Sequence, residues 1–159
     1  MRTNNAKVKN VIISVYFILI VLAILLATVF SAFSDVSDNP FVTFTLVTGG
    51  FIALFSIVYY ISRYFEYDSD GVKVVVINRG LLLADYFNYR EHKVEFTKEQ
   101  LVRFRINNFI VYKSLSLYIK DKRGNINKES FNITLVSRRK RKYIKQSLSK
   151  MIKVNRKSK

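Results

Sequence analysis

The chain has 159 residues, with 27 Lys and Arg against 11 Asp and Glu, a formal net charge of +16, and hydrophobic residues making up 50% of it. The absence of Cys and the single His exclude disulfide scaffolds, thiol nucleophiles, and zinc or iron–sulfur sites built on Cys or on several His. A chain this basic and this apolar must segregate the two properties along its length.

Residues 1–10 carry Arg2, Lys7 and Lys9 and no acid, a basic N-terminal segment. Residues 11–33 then contain no charge. As a helix this run measures roughly 34 Å, enough for a hydrocarbon core of about 30 Å. It is too long for the apolar stretch of a cleaved signal peptide. A polar loop at 34–40 holds Asp35, Asp38 and Pro40, and a second uncharged run covers 41–62. The pattern predicts a hairpin of two transmembrane helices.

Basic residues set its orientation. Both flanks of the hairpin are rich in Lys and Arg, whereas the 34–40 loop has two Asp and no cation. Both termini are therefore expected in the cytoplasm. Small residues recur every four positions in both runs: Ala23, Ala27 and Ser31 in the first, Thr45, Gly49 and Ala53 in the second. Such stripes let membrane helices approach closely. The expectation is that Ala23 faces Ala53, Ala27 faces Gly49, and Ser31 faces Thr45.

From 63 onward the texture changes to alternation. Val102, Phe104 and Ile106 alternate with Arg103 and Arg105; Leu115, Leu117 and Ile119 alternate with Ser116, Tyr118 and Lys120; Phe131, Ile133 and Leu135 alternate with Asn132 and Thr134. Period two with one apolar face predicts half-buried antiparallel strands. Val72 to Ile77 is β-branched, and 81–87 and 93–96 are weaker candidates, giving six or seven strands. Asp70-Gly71, Asn78-Arg79-Gly80 and Lys122-Arg123-Gly124-Asn125 supply turns. After Ser137, a suitable N-cap, Ile144, Leu148, Met151 and Ile152 form one helical stripe. The expected domain covers 63–153, with a basic tail at 154–159.

Two spans, a strand meander opening with Phe65-Glu66-Tyr67-Asp68-Ser69-Asp70-Gly71-Val72, and a closing helix resemble the bacterial PH-like membrane proteins. In that family a tyrosine-led strand meets an acidic-Gly hairpin, and a later segment corresponds to Phe96-Thr97-Lys98-Glu99-Gln100-Leu101-Val102. The resemblance implies a small β-rich PH-like barrel, or bent antiparallel sheet, capped by a C-terminal helix. It also implies location in a bacterial inner membrane, which agrees with a Lys-, Asn- and Ile-rich composition. It does not imply phosphoinositide binding. Eukaryotic PH domains place basic residues in the first hairpin, where this chain has Asp68-Ser69-Asp70.

The search for chemistry yields no catalytic residue, metal site or cofactor. Glu66, Asp68, Asp70 and Gly71 mimic the start of a calcium loop, but the twelfth position is Ile77 where a bidentate acid is needed. His92 lies in a charged stretch and reads as a surface residue. Asn132-Ile133-Thr134 matches a glycosylation sequon but falls in a predicted strand on the cytoplasmic side.

The strongest polar feature is Arg138, Arg139, Lys140, Arg141 and Lys142. Cations at a helix N-terminus oppose its dipole, and an anionic partner offsets that conflict. The inner leaflet supplies one, since anionic lipid attracts basic residues within a Debye length. The expected function is a non-enzymatic adaptor at the anionic lipid surface, with room for a protein partner. The alternatives are a solvated helix face, a membrane-tethered nucleic-acid binder, and a lipid-modifying accessory enzyme with an active site of scattered Asp, Glu, Lys and Tyr. For the nucleic-acid binder only Tyr143 offers an adjacent stacking ring.

Overall fold

The computed structural model describes residues 1–28, 39–81 and 91–157. In chain order these form β1 (Arg2–Asn4), α1 (Lys9–Thr28), α2 (Pro40–Ile61), β2 (Arg63–Asp68), β3 (Lys73–Gly80), β4 (His92–Thr97), β5 (Leu101–Asn108), β6 (Lys113–Lys120), β7 (Ile126–Asn132) and α3 (Arg138–Lys157). Short 3-10 turns precede α1 and β5. The chain divides into two compact units, Lys7–Tyr60 and Met1–Ala6 with Ile61–Lys159.

The Lys7–Tyr60 unit holds the two apolar helices. Each contains a stretch long and apolar enough to cross a membrane, Ala6–Leu26 and Phe41–Ile61. Only 6% of the most apolar window of either stretch is buried. Tyr16 and Phe55 stack with ring centroids 5.8 Å apart. On α2 the covered face carries Thr43, Val47, Phe51 and Phe55.

The small-residue stripe of α2 lies elsewhere. Thr45, Gly49 and Ala53 are exposed, and a Cβ on Gly49 would meet nothing within 4 Å. Ala23 is half-covered, while the Ala27 side chain and Ser31 lie outside the described residues. Among the described residues nothing stands close to Gly49, and the side chain of its expected partner, Ala27, lies outside them. Thr45 follows Thr43 by two residues, roughly 200° around a helix. That step moves the small stripe off the face on which bulky Phe51 and Phe55 pack.

The second unit is built on two antiparallel sheets, β1-β2-β3-β4 and β5-β6-β7. Its first strand comes from the N-terminus. Arg2, Thr3 and Asn4 pair with Asp68, Tyr67 and Glu66. The folded unit thus contains 1–6 as well as the predicted domain. It also contains 154–157, which continue α3 rather than forming a separate tail.

One core joins both sheets and α3. Phe65, Tyr67, Val74 and Val76 come from the first sheet, Leu115, Leu117 and Phe131 from the second, and Ile144, Leu148 and Met151 from α3. The helical stripe of α3 is thereby buried as its period predicts, with Ile152 partly covered. Ser137 caps α3: its Oγ accepts from the Lys140 N–H at 3.4 Å.

The described strands do not close into a barrel. The turn at Lys98–Gln100 interrupts the passage from β4 to β5, and a side chain, that of Asn78, bridges β3 to β7 where a barrel would have a backbone ladder.

Two strand expectations shift. A bulge between Leu101 and Arg103 buries Leu101 and leaves Val102 exposed, while Phe104 and Ile106 stay partly covered. β7 ends at Asn132, earlier than the alternation through Leu135 predicts. Residues 82–87 of the weak strand candidate at 81–87 lie outside the described residues, and the other candidate, 93–96, lies within β4.

Candidate functional site

The site is assembled at one end of the second unit, where the chain leaves for α1 and returns from α2. Asn5 holds these two passages together. Its Nδ2 donates to the Arg63 carbonyl at 2.9 Å, and its Oδ1 accepts from the Phe65 N–H at 2.8 Å. Its own N–H donates to the Phe65 carbonyl at 3.2 Å. Asn5 is 2% exposed, so water cannot replace these bonds.

Beside it, Arg2 Nε donates to Glu66 Oε1 at 2.7 Å, and the Tyr64 hydroxyl donates to Glu66 Oε2 at 2.6 Å. Burial alone would raise the Glu66 carboxyl, but the bonds from Tyr64 and Arg2 outweigh it and hold the group below the usual carboxylate range. The Tyr64 hydroxyl is pushed up to about 12, first by burial and then by its bond to Glu66. Arg79 lies over the Tyr64 ring, 4.9 Å from its centroid. One acid is thus enclosed by its own partners.

The start of α3 comes to the same place. Lys140 Nζ donates to the Asn4 carbonyl, one residue from Asn5. That bond fixes 138–142 beside the end of β1. Arg138, Arg139 and Lys142 are exposed. Arg139 Nε donates to the Tyr143 hydroxyl at 2.9 Å, and its guanidinium carbon lies 5.7 Å from that ring's centroid. Arg141 is half-buried, and its Nη1 is buried without a hydrogen-bond partner among the described residues. None of these five cations has a carboxylate within ion-pair distance among the described residues, and Lys140 is satisfied by a carbonyl.

The other end of the unit is different in kind. Asn155 Nδ2 lies 2.8 Å from the Lys98 carbonyl and 3.0 Å from that of Leu101, tying the last turns of α3 to the turn before β5. A groove of about 330 Å³ beside it is lined by Ser69, Lys98, Glu99, Ser147 and Lys150 among others. Its walls mix both charges, and no convergent set of nucleophile and base lines it.

His92 is exposed, as its charged stretch predicts, with its Nε2 2.9 Å from Glu129 Oε2 and its ring 4.8 Å from that of Phe131.

Sequence reasoning found the 138–142 cluster but not what surrounds it. The Asn4 and Asn5 contacts were invisible because β1 is three polar residues with no period to read. Comparison with protein-family models, with curated proteins and with solved structures finds no match for this chain.

Proposed function

We propose that this is a non-enzymatic integral protein of a bacterial inner membrane. In this reading α1 and α2 span the bilayer, and the unit formed by 1–6 and 61–159 is a PH-like domain on the cytoplasmic side. The domain works against the anionic leaflet as an adaptor, holding its surface, and a protein partner on it, close to the lipid.

The observation that carries this reading is the bond from Lys140 to Asn4. It sets the basic start of α3 at the end of the domain from which both apolar helices depart. No linker separates α2, ending at Ile61, from β2, beginning at Arg63. Cations at that end stand within reach of headgroups, and anionic lipid offsets both their mutual repulsion and their conflict with the α3 dipole. Order within the domain supports the PH-like reading: a four-stranded sheet, a three-stranded sheet, then one closing helix on a shared core.

The test uses the full chain in nanodiscs. A donor dye on Lys142→Cys should transfer energy to headgroup-labelled lipid more strongly in discs containing phosphatidylglycerol than in pure phosphatidylcholine, and less as salt rises. With Arg138, Arg139, Lys140 and Arg141 changed to Gln, the dependence on lipid charge should vanish. Transfer indifferent to lipid charge, together with retention of the protein on DNA, would favour the nucleic-acid reading instead.

A further inference from the structure

The turn between β5 and β6 breaks the usual chemistry of hairpin turns. Two-residue hairpin loops favour Asn, Asp and Gly. Here Phe109 N–H donates to the Tyr112 carbonyl at 2.8 Å, which closes a loop with Ile110 and Val111 at its tip. Phe109 is 61% exposed, Ile110 fully and Val111 55%. The rings of Phe109 and Tyr112 stack at 6.2 Å and brace the loop from within. Three consecutive large apolar side chains stand in the open where polar turn formers normally sit. Scattered exposed apolar residues are common on protein surfaces, but a contiguous apolar tip is not.

Its place in the domain follows from bonds on the page. The strand after the tip runs Lys113, Ser114, and Ser114 pairs with Asn132. Asn132 is bonded at its N–H and carbonyl by the Asn78 side chain, which also donates to the Tyr64 carbonyl at 2.9 Å. Tyr64 is the second residue of β2. The tip therefore belongs to the end of the domain at which α2 terminates.

The basic start of α3 reaches the same corner. Lys113 N–H donates to Thr134 Oγ1 at 3.0 Å, and Ile133 N–H donates to the Lys113 carbonyl at 2.9 Å. Ser137 follows Thr134 by three residues and opens α3 at Arg138.

We propose that Phe109, Ile110 and Val111 form a wedge that enters the headgroup–acyl boundary of the same leaflet in which α2 ends. The occupant of this surface is lipid, argued from charge complementarity. An apolar point beside a concentration of cations matches an anionic bilayer, whose headgroups meet the cations while its acyl boundary receives the apolar groups. Isolated apolar tips bind membranes weakly, but one tethered by two spans never leaves the surface, so a small contact fixes the domain's orientation. The proposal rests on the membrane reading above and adds a specific point of insertion.

The chain contains no Trp, so Ile110→Trp places a single tryptophan, excited selectively above the Tyr absorption, at the tip. The probe is the full-length protein in phosphatidylglycerol–phosphatidylcholine vesicles, with and without brominated acyl chains. Two reference variants are Ile24→Trp in α1 and Val72→Trp, exposed in the hairpin at the opposite end of β2. The expected result is blue-shifted emission and bromine quenching at 24 and 110, and unquenched emission at the water maximum at 72. Quenching at 24 but water-like emission at 110 overturns the wedge and leaves the spans intact. Blue-shifted but unquenched emission at 110 overturns it in favour of a protein contact, such as a second copy. Absence of quenching at 24 overturns the membrane reading and the wedge with it.

Discussion

The side chain of Asn78 acts as a strand residue between the two sheets. Its Oδ1 accepts from the Asn132 N–H at 3.2 Å, and its Nδ2 donates to the Asn132 carbonyl at 3.0 Å and to the Tyr64 carbonyl at 2.9 Å. Both amide protons are used, and one side chain closes a gap that backbone pairing leaves open. Asn78→Ala removes three hydrogen bonds at a partly buried seam, each worth about 0.5–1.5 kcal/mol net. The melting temperature of the detergent-solubilised full chain should fall clearly. An unchanged melting temperature would mean the sheets hold together without this bridge.

Asn5 does the same for the N-terminal strand. Removing its amide in Asn5→Ala unpairs the Phe65 N–H and the Arg63 carbonyl, a loss of about 1–3 kcal/mol. Deleting 1–5 should be worse, because it exposes the edge of β2. A fragment starting at residue 63 lacks β1 altogether and should be less stable than the full chain in hydrogen exchange at Phe65 and Tyr67. Equal protection of these amides in fragment and full chain would contradict the role of β1.

Much of this was legible in the sequence, and the limits have physical causes. Leu115, Leu117 and Ile119 are buried because β6 is the central strand of its sheet, and their alternation in sequence marks the core face, although Ser114 and Ser116 between them are buried as well. The same holds for Ile144 and Leu148 on α3. Edges are harder to read. β1 is held by backbone pairing and one Asn, neither of which leaves a hydrophobic period. The bulge at Leu101 shifts a face by one residue, so Val102 takes an outward position. The small-residue stripe of α2 was visible as a pattern, but pattern alone does not say which face a helix turns to its neighbour. The 109–111 tip escaped notice because an apolar turn carries none of the usual turn residues.

The α3 cap provides a stability test. Leu148 is fully buried between the sheets and the helix. Leu148→Ala should destabilise by about 2–5 kcal/mol, and Leu148→Asp by more, since it buries an unpaired charge. Denaturant unfolding of the full chain reads both. Matching midpoints for wild type and Leu148→Ala would mean that α3 does not close the core.

The β1–β2 clamp should respond to pH on both sides of neutrality. The Glu66 carboxyl is lowered on folding, so its stabilisation is present above the ordinary carboxylate range and is lost as pH falls through the folded value. The Tyr64 hydroxyl is raised from 10.0 to about 12, so its contribution is present below 10 and lost as pH climbs toward 12. Glu66→Gln should flatten the acid limb of a stability–pH profile, and Tyr64→Phe the alkaline limb. Unaltered limbs in these variants would assign the pH dependence to other groups.

In the helix pair, a Cβ on Gly49 would meet nothing within 4 Å among the described residues. Gly49→Leu should leave the melting temperature unchanged or raise it, because Gly costs a helix about 1 kcal/mol relative to good formers. A marked loss would restore the close approach that the small-residue stripe predicts.

The central claim is that both passages of the chain lie on one side of a membrane, with the basic start of α3 at its inner surface. The absence of Cys allows a direct measurement with single cysteines and an impermeant maleimide in intact cells. Ser37→Cys, which lies outside the described residues, should label from outside. Lys122→Cys, exposed in the β6–β7 turn, should label only after permeabilisation. Labelling of Lys122→Cys in intact cells, or protection of Ser37→Cys, would contradict the account.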